Sequence, residues 1–249
     1  MSNNKELLKQ ILDPDHLLMD KFKEAAPGTY RHSVNVLDFC ETIASELNLD
    51  VDILRVSAMY HDVGKMNYPN AFSENQNGVN MHDSLEPIMS YHIITRHIGD
   101  SILILLQIPE IPTQILNIIS QHHGNTVLQY FYNKSNSDID DTYRYKCKAP
   151  QSIEAAVLMI CDSVEATAKA LYNNGEITDA GDKKKVVDST IKKLVEDDQL
   201  DEMKVGELKI IRKILYRKLD SLYHKREVYD EKTVKEAKDD SSFLGEGEK

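Results

Sequence analysis

The chain has 249 residues, 41% of them hydrophobic, enough to build a core in one large domain or two small ones. A net charge of −11 argues against a protein that coats nucleic-acid polymers, although a few local cations can still hold a small anion. No run approaches the roughly 18–20 apolar residues of a membrane helix, so no membrane segment is expected. The three cysteines (Cys40, Cys147, Cys161) have neither disulfide nor zinc-finger spacing, and the N-terminus has no signal-peptide core; the expected location is the cytoplasm.

Almost every ordered segment reads as helix. "TYRHSVNVLDFCETIASELN" places Thr29 as a candidate N-cap, with Val36, Leu37, Cys40, Ile43, Ala44 and Leu47 at helical spacing. "DVDILRVSAMYHDVGK" opens at Asp50 and is expected to close near Gly64. "DSLEPIMSYHIITRHI" starts around Ser84, and "GDSILILLQI" is expected to follow after a break at Gly99. "PTQILNIISQHHG" begins at Pro112 and ends at Gly124, where a helix C′ residue belongs. "PQSIEAAVLMICDSVEATAKAL" is the longest apolar helix, starting at Pro150. Residues 67–84 and 133–150 read as long loops, and long loops inside a domain are usually functional or disordered. The polar C-terminal tail is expected to be disordered.

Polar residues inside these apolar helices carry the chemistry. His61 and Asp62 stand side by side in "AMYHDVGKM", with Lys65 one turn on. His122 and His123 form a second adjacent pair, again just ahead of a glycine. His32, His97 and Asp162 fall where side chains should be buried. A lone histidine on an apolar face is more often a hydrogen-bonded core residue than a ligand. Two aspartates are different, because burying an unpaired carboxylate costs several kcal/mol and demands cationic partners. These five imidazoles and two carboxylates are too many for one ion of coordination number four to six. They suit two divalent ions with Asp62 as the bridge, and nitrogen and oxygen donors without thiolate favour Fe or Mn. His92 reads as structural, and His16 and His224 as peripheral.

The motifs "HS" (32–33), "YHDVGK" (60–65), "RHI" (96–98), "QHHG" (121–124) and "CDSVEA" (161–166) resemble those of the HD-domain metal phosphohydrolases. "DPDHLL", "EAAPGTYRHS", "FSENQNG", "QHHGNTVLQYFYNK" and "VEDDQLDEMKVGELKIIRKIL" are similar to the cytoplasmic HD domain of the seven-transmembrane HD proteins, which hydrolyse cyclic di-AMP at a di-iron or di-manganese centre. The resemblance implies an all-α, compact single-domain HD-type helical bundle over residues 11–230, with an N-terminal extension at 1–10 and a tail at 231–249. It implies that His32, His61, Asp62 and Asp162 hold one ion, and Asp62, His97, His122 and His123 the other. Lys65 matches the lysine of the family's HDxGK motif, a catalytic and substrate-binding position. Asn75 and His82 match the loop that borders the substrate cleft, and Arg144 opens a basic run in a second loop facing substrate. "RYKCKAP" (144–150) and Met81 depart from the family's pattern at those loops.

The expected function is a metal-dependent phosphodiesterase that opens cyclic di-AMP to linear pApA. Alternatives are another cyclic oligonucleotide or nucleotide as substrate, or a non-catalytic dimetal or nucleotide-binding module. The expected partner is a small anionic nucleotide, and a homo-oligomer is compatible with the sequence.

Overall fold

A computed structural model describes residues 2–242, and side chains are described for residues 5–223. Ten α-helices follow in order: α1 (Ser2–Ile11), α2 (Leu17–Ala25), α3 (Pro27–Leu47), α4 (Val51–Tyr60), α5 (Pro87–Leu105), α6 (Thr113–Ser120), α7 (Gln129–Ser135), α8 (Ile153–Asn173), α9 (Ala180–Glu196) and α10 (Val205–Ser242). Among the described residues there is no strand, only an isolated antiparallel bridge between Val127 and Arg144. The all-α expectation holds. No helix among the described residues is long and apolar enough to cross a membrane.

The fold is organised around α3, α4 and α8. The "AAVLMIC" run makes α8 apolar all round, and each of residues 155–161 is at most 1% exposed. Ser152 starts the helix by accepting the Ala155 N–H, and Asp50 starts α4 in the same way through Ile53. The helix α3 packs against α4, α8 and α10, and α6 fits against α4 and α8. Phe22, Phe39, Ile43, Leu54, Met59 and Leu105 fill the space between them. A smaller cluster of Tyr91, Phe131 and Tyr143 fastens α5, α7 and the 140–147 loop together.

Several local expectations need correction. Within the expected N-terminal extension, Leu8 of α1 packs in the core, as does the neighbouring Ile11, whose carbonyl accepts the Tyr60 hydroxyl at 2.6 Å. The helix α10 continues to Ser242 through a segment with several Glu and Lys, good helix formers, so the expected tail is helical as far as it is described. Residues 243–249 lie outside the described residues. Thr29 does not cap α3, which begins at Pro27; the orphan N–H groups of Gly28 and Thr29 donate to Asn75 Oδ1 at 2.8 and 3.1 Å. The expected break at Gly99 is absent: α5 runs through it, since a single glycine costs a helix only about 1 kcal/mol and its flanks are packed.

The helix α4 ends at Tyr60, short of Gly64, and a 3₁₀ turn (Val63–Asn67) follows. Gly64 therefore does not stop the helix. A Cβ there would lie 2.2 Å from the His97 carbonyl oxygen and 2.4 Å from the Ser101 nitrogen, while the Gly64 N–H donates to Ser101 Oγ at 2.8 Å. The residue is a glycine so that this turn can lie directly on α5.

Two glycines should consequently respond in opposite ways. Gly64→Ala, blocked by backbone on α5, should cost about 3 kcal/mol, or roughly 6–12 °C in Tm for a protein of this size. Gly99→Ala, in mid-helix with open space around its Cβ position, should raise stability by about 0.5–1 kcal/mol. Thermal unfolding of both variants checks this; a Gly64→Ala protein as stable as wild type would contradict the close approach.

Candidate metal centre

The loop after α4 leaves His61 as the last helical cap residue and puts Asp62 at φ −107°, ψ 10°, out of the helical register. That turn is what lets neighbouring side chains converge on one point. Asp62 is 1% exposed. Its two oxygens face opposite ways: Oδ1 lies 3.2 Å from His97 Nε2 and 3.7 Å from His122 Nε2, whereas Oδ2 lies 3.3 Å from His61 Nε2 and 3.9 Å from His32 Nε2. Asp162, projecting from α8, sits 2.9 Å from His32 Nε2, 3.6 Å from His61 Nε2 and 3.7 Å from His123 Nδ1.

Three histidines are aimed by one local device. Nδ1 of His61 donates to the Ala58 carbonyl at 2.8 Å, that of His97 to Ile94 at 2.6 Å, and that of His122 to Ile119 at 2.6 Å. Because a carbonyl only accepts, the neutral rings must carry their proton on Nδ1, and their Nε2 lone pairs all point inward. His97 and His122 Nε2 then face each other at 3.4 Å, lone pair to lone pair. His61 Nε2 and Asp62 Oδ1 are buried with no hydrogen-bond partner. Converging acceptors with nothing to donate to them fit a cation.

The charges point the same way. Burial opposes the Asp62 carboxylate, yet Lys65 and His61 hold its pKa well below the usual carboxylate range. Burial likewise opposes the Asp162 carboxylate, which His32 and His61 hold down. Burial pulls His97 down to about 4, and burial and His122 push His123 well below its ordinary value, so both rings are neutral at neutral pH, the form in which an imidazole can ligate. His32 and His61 go the other way: burial resists their charge, but Asp162 and Glu165 lift His32 to about 9, and Asp62 and Asp162 lift His61 to about 10. Ligation would have to displace those protons.

Two groups of donors have the mutual spacing of a metal site, namely Asp62, His97, His122 and His123, and His32, His61, Asp62 and Asp162, with Asp62 common to both. These are the sets expected from the motifs. HD domains bind divalent metals, and the donor atoms here fit one. His122 and His123 reach the centre on a turn past α6, which ends at Ser120 and not at Gly124. Gly124 is nonetheless at φ +53°, and a Cβ there would meet Gln199 Oε1 at 2.0 Å; the buried Gln199 side chain also donates to Asn125 Oδ1, which ties this turn to the α9–α10 connection.

His32, His97, His123 and Asp162 line a cleft of about 1050 Å³, together with residues of α8, α9 and the 72–74 and 140–145 loops. Lys65 is on its wall with 13% of its side chain exposed, 2.7 Å from Asp62 Oδ2 and 3.1 Å from Glu74 Oε1, its ammonium 4.7 Å from the Phe72 ring centre. Arg144 also lines the cleft, but its guanidinium is held by Asp140 at 2.8 Å and Asp197 at 3.3 Å. Asn75 and His82 are not on the wall. The Asn75 amide is used up capping α3, and His82 is buried against Phe131 with Nε2 donating to the Ala71 carbonyl. His92 is exposed beside Tyr91, away from the centre, and His16 caps α2.

Three residues were not singled out as site residues in the sequence. Glu165 receives His32 Nδ1 at 2.5 Å, Glu74 holds Lys65, and Tyr145 stacks on His123 at 4.5 Å. Glu165 had a visible signal, since it follows Asp162 by three positions and so shares its helix face. Glu74 and Tyr145 lie in loops, where no periodicity marks which side chains turn inward.

Comparison with known proteins adds the following. The HD domain pattern matches residues 29–167. The chain is 38% identical over 231 residues to the cyclic-di-AMP phosphodiesterase PgpH of Listeria monocytogenes serotype 1/2a (strain 10403S), covering 89% of this chain and 31% of that protein. It is 35% identical over 236 residues to the protein of the same name from Bacillus subtilis (strain 168), covering 92% and 32%. The chain thus spans about a third of the length of these relatives. The crystal structure of the L. monocytogenes PgpH HD domain superposes with a TM-score of 0.78 at 38% identity, covering 84% of this chain and 100% of that one. The same domain in complex with cyclic-di-AMP gives 0.77 at 37% identity, covering 84% and 98%.

A bound ion should be a large part of this protein's stability. A ligand at a thousand times its dissociation constant contributes about 4 kcal/mol. Stripping divalent metal with a chelator should therefore lower Tm by several degrees, and Mn²⁺ should restore it. Asp62→Asn should remove most of that metal-dependent shift. A melting temperature indifferent to chelator would speak against an ion at these donors.

Proposed function

The chain belongs to the HD domain family, and on that premise we propose that it is a phosphodiesterase that hydrolyses cyclic di-AMP to linear pApA at two divalent ions, Fe or Mn. The observation that carries the two-ion reading is the division of the Asp62 carboxylate, Oδ1 toward His97 and His122 and Oδ2 toward His61 and His32. Neither donor group contains a thiolate, which favours Fe or Mn over a structural zinc. The substrate reading is supported by the relatives: PgpH is named a cyclic-di-AMP phosphodiesterase, and its HD domain has been crystallised with that nucleotide.

Two divalent ions at these donors would supply an activated water at neutral pH and neutralise charge on the phosphoryl oxygens. The chain's own residues do the rest. His32, His61, Asp62 and Asp162 form one buried cradle, and Asp62, His97, His122 and His123 form the other. The cleft, about 1050 Å³, has room for a dinucleotide, and the Phe72 and Tyr145 rings line it. Lys65 is fixed by Asp62 and Glu74, and its pKa is raised by them against its burial, so it stays an ammonium throughout. Its charge stands where phosphoryl charge grows in the transition state, the arrangement that contributes most to such reactions. Arg144, held by Asp140 and Asp197, shapes the far wall.

Metal-loaded protein incubated with a panel of cyclic dinucleotides should yield linear pApA from cyclic di-AMP on chromatography. No turnover of any member would overturn the enzymatic reading, and turnover confined to another base would correct the substrate. Lys65→Ala should cut kcat by about 10²-fold with metal content unchanged. Lys65→Arg should rescue little, since a planar fork replaces a compact ammonium poorly. A Lys65→Ala enzyme with near-normal kcat would leave this lysine only its structural pairing with Glu74.

A further inference from the structure

The two halves of the centre are built differently. In the His32 half all four donor residues are buried, and a further carboxylate stands behind them. Glu165 is 0% exposed, with Oε2 2.5 Å from His32 Nδ1 and Oε1 accepting the Asn35 amide at 2.7 Å. Asp162 and Glu165, one turn apart on α8, therefore grip opposite nitrogens of one imidazole. The half holds Asp162 and Glu165 as well as its share of Asp62, with Lys65 beside Asp62 and Lys169 acting on Glu165.

The His97 half has three imidazoles and only the shared carboxylate. The outer nitrogens of His97 and His122 meet neutral carbonyls. His123 keeps 23% of its side chain exposed, its ring stacked on Tyr145 and its Nδ1 3.7 Å from Asp162.

A carboxylate bonded to the outer nitrogen of a ligating histidine fixes the ring and makes it a stronger donor, and removing such a partner usually costs about 10–100-fold in metal affinity. We propose that Glu165 is a positioning residue that makes the centre unequal, so that the His32 half fills first and tightly while the His97 half holds an exchangeable ion. The inference rests on the two-ion reading above and goes beyond it: activity would follow the free divalent-ion concentration through the weaker half alone.

Titration of the metal-stripped full chain with Mn²⁺, with free ion read by electron paramagnetic resonance, tests this without any substrate. Wild type should bind in two separated steps. Glu165→Gln should weaken the first step by about 10–100-fold and leave the second in place, so that the steps merge. Asn35→Ala, which keeps the carboxylate but frees its other oxygen, should move the first step the same way by less, and covers the case of a misfolded Glu165→Gln protein; the melting curve of each metal-free variant reports folding. Two ions of equal affinity in wild type, or a first step indifferent to both variants, would overturn the inference. A single ion bound at saturation would overturn it together with the two-ion reading. Ordered loading of two ions without turnover of cyclic di-AMP would support it while sinking only the substrate assignment.

Discussion

A carboxylate buried at the meeting point of four helical segments is what the rest of the molecule accommodates. Asp62 is 1% exposed, and a charge in that position is tolerated only if cations surround it. The protein supplies Lys65 and a ring of imidazoles, but His97 and His123 are neutral at ordinary pH, and Asp62 Oδ1 has no donor at all. With no metal bound, His32 and His61 must themselves carry protons to balance the buried carboxylates; a divalent cation at these donors would take over that role. The same electrostatics that would make an empty centre strained make a loaded one rigid.

That rigidity comes from short-range geometry repeated in separate places. His61 at the end of α4, His97 within α5 and His122 just past α6 each bind the carbonyl three residues back. Each ring is thus oriented by its own chain segment before the helices come together. Packing then has only to set distances, which the contact of Gly64 on α5 and the Gln199 clamp on Gly124 do to within an atom's width. His32 is the exception, held by side chains from α8 and not by its own backbone.

This division explains what the sequence let one read. The candidate donors were legible because aspartate and histidine inside apolar helices break a strong pattern, and because two adjacent pairs precede glycines. The roles of those glycines were not. Whether Gly64 stops a helix or admits a neighbour depends on α5, more than thirty positions away, and local periodicity carries no such information. Thr29 was misread as a cap for the same reason: the cap of α3 is delivered by Asn75, on a loop 46 residues further on. His82 matched a motif yet serves the loop's own packing. Helices as a class were easy to read; their ends, decided by tertiary contacts, were not.

The central claim is that Asp62 joins two ions. Crystals of Mn-loaded protein, measured on both sides of the metal absorption edge, would test it most directly through the anomalous difference map. The account predicts two peaks about 3.5–4 Å apart, one on each side of the Asp62 carboxylate. A single peak, or two that leave Asp62 without contact to both, would contradict it.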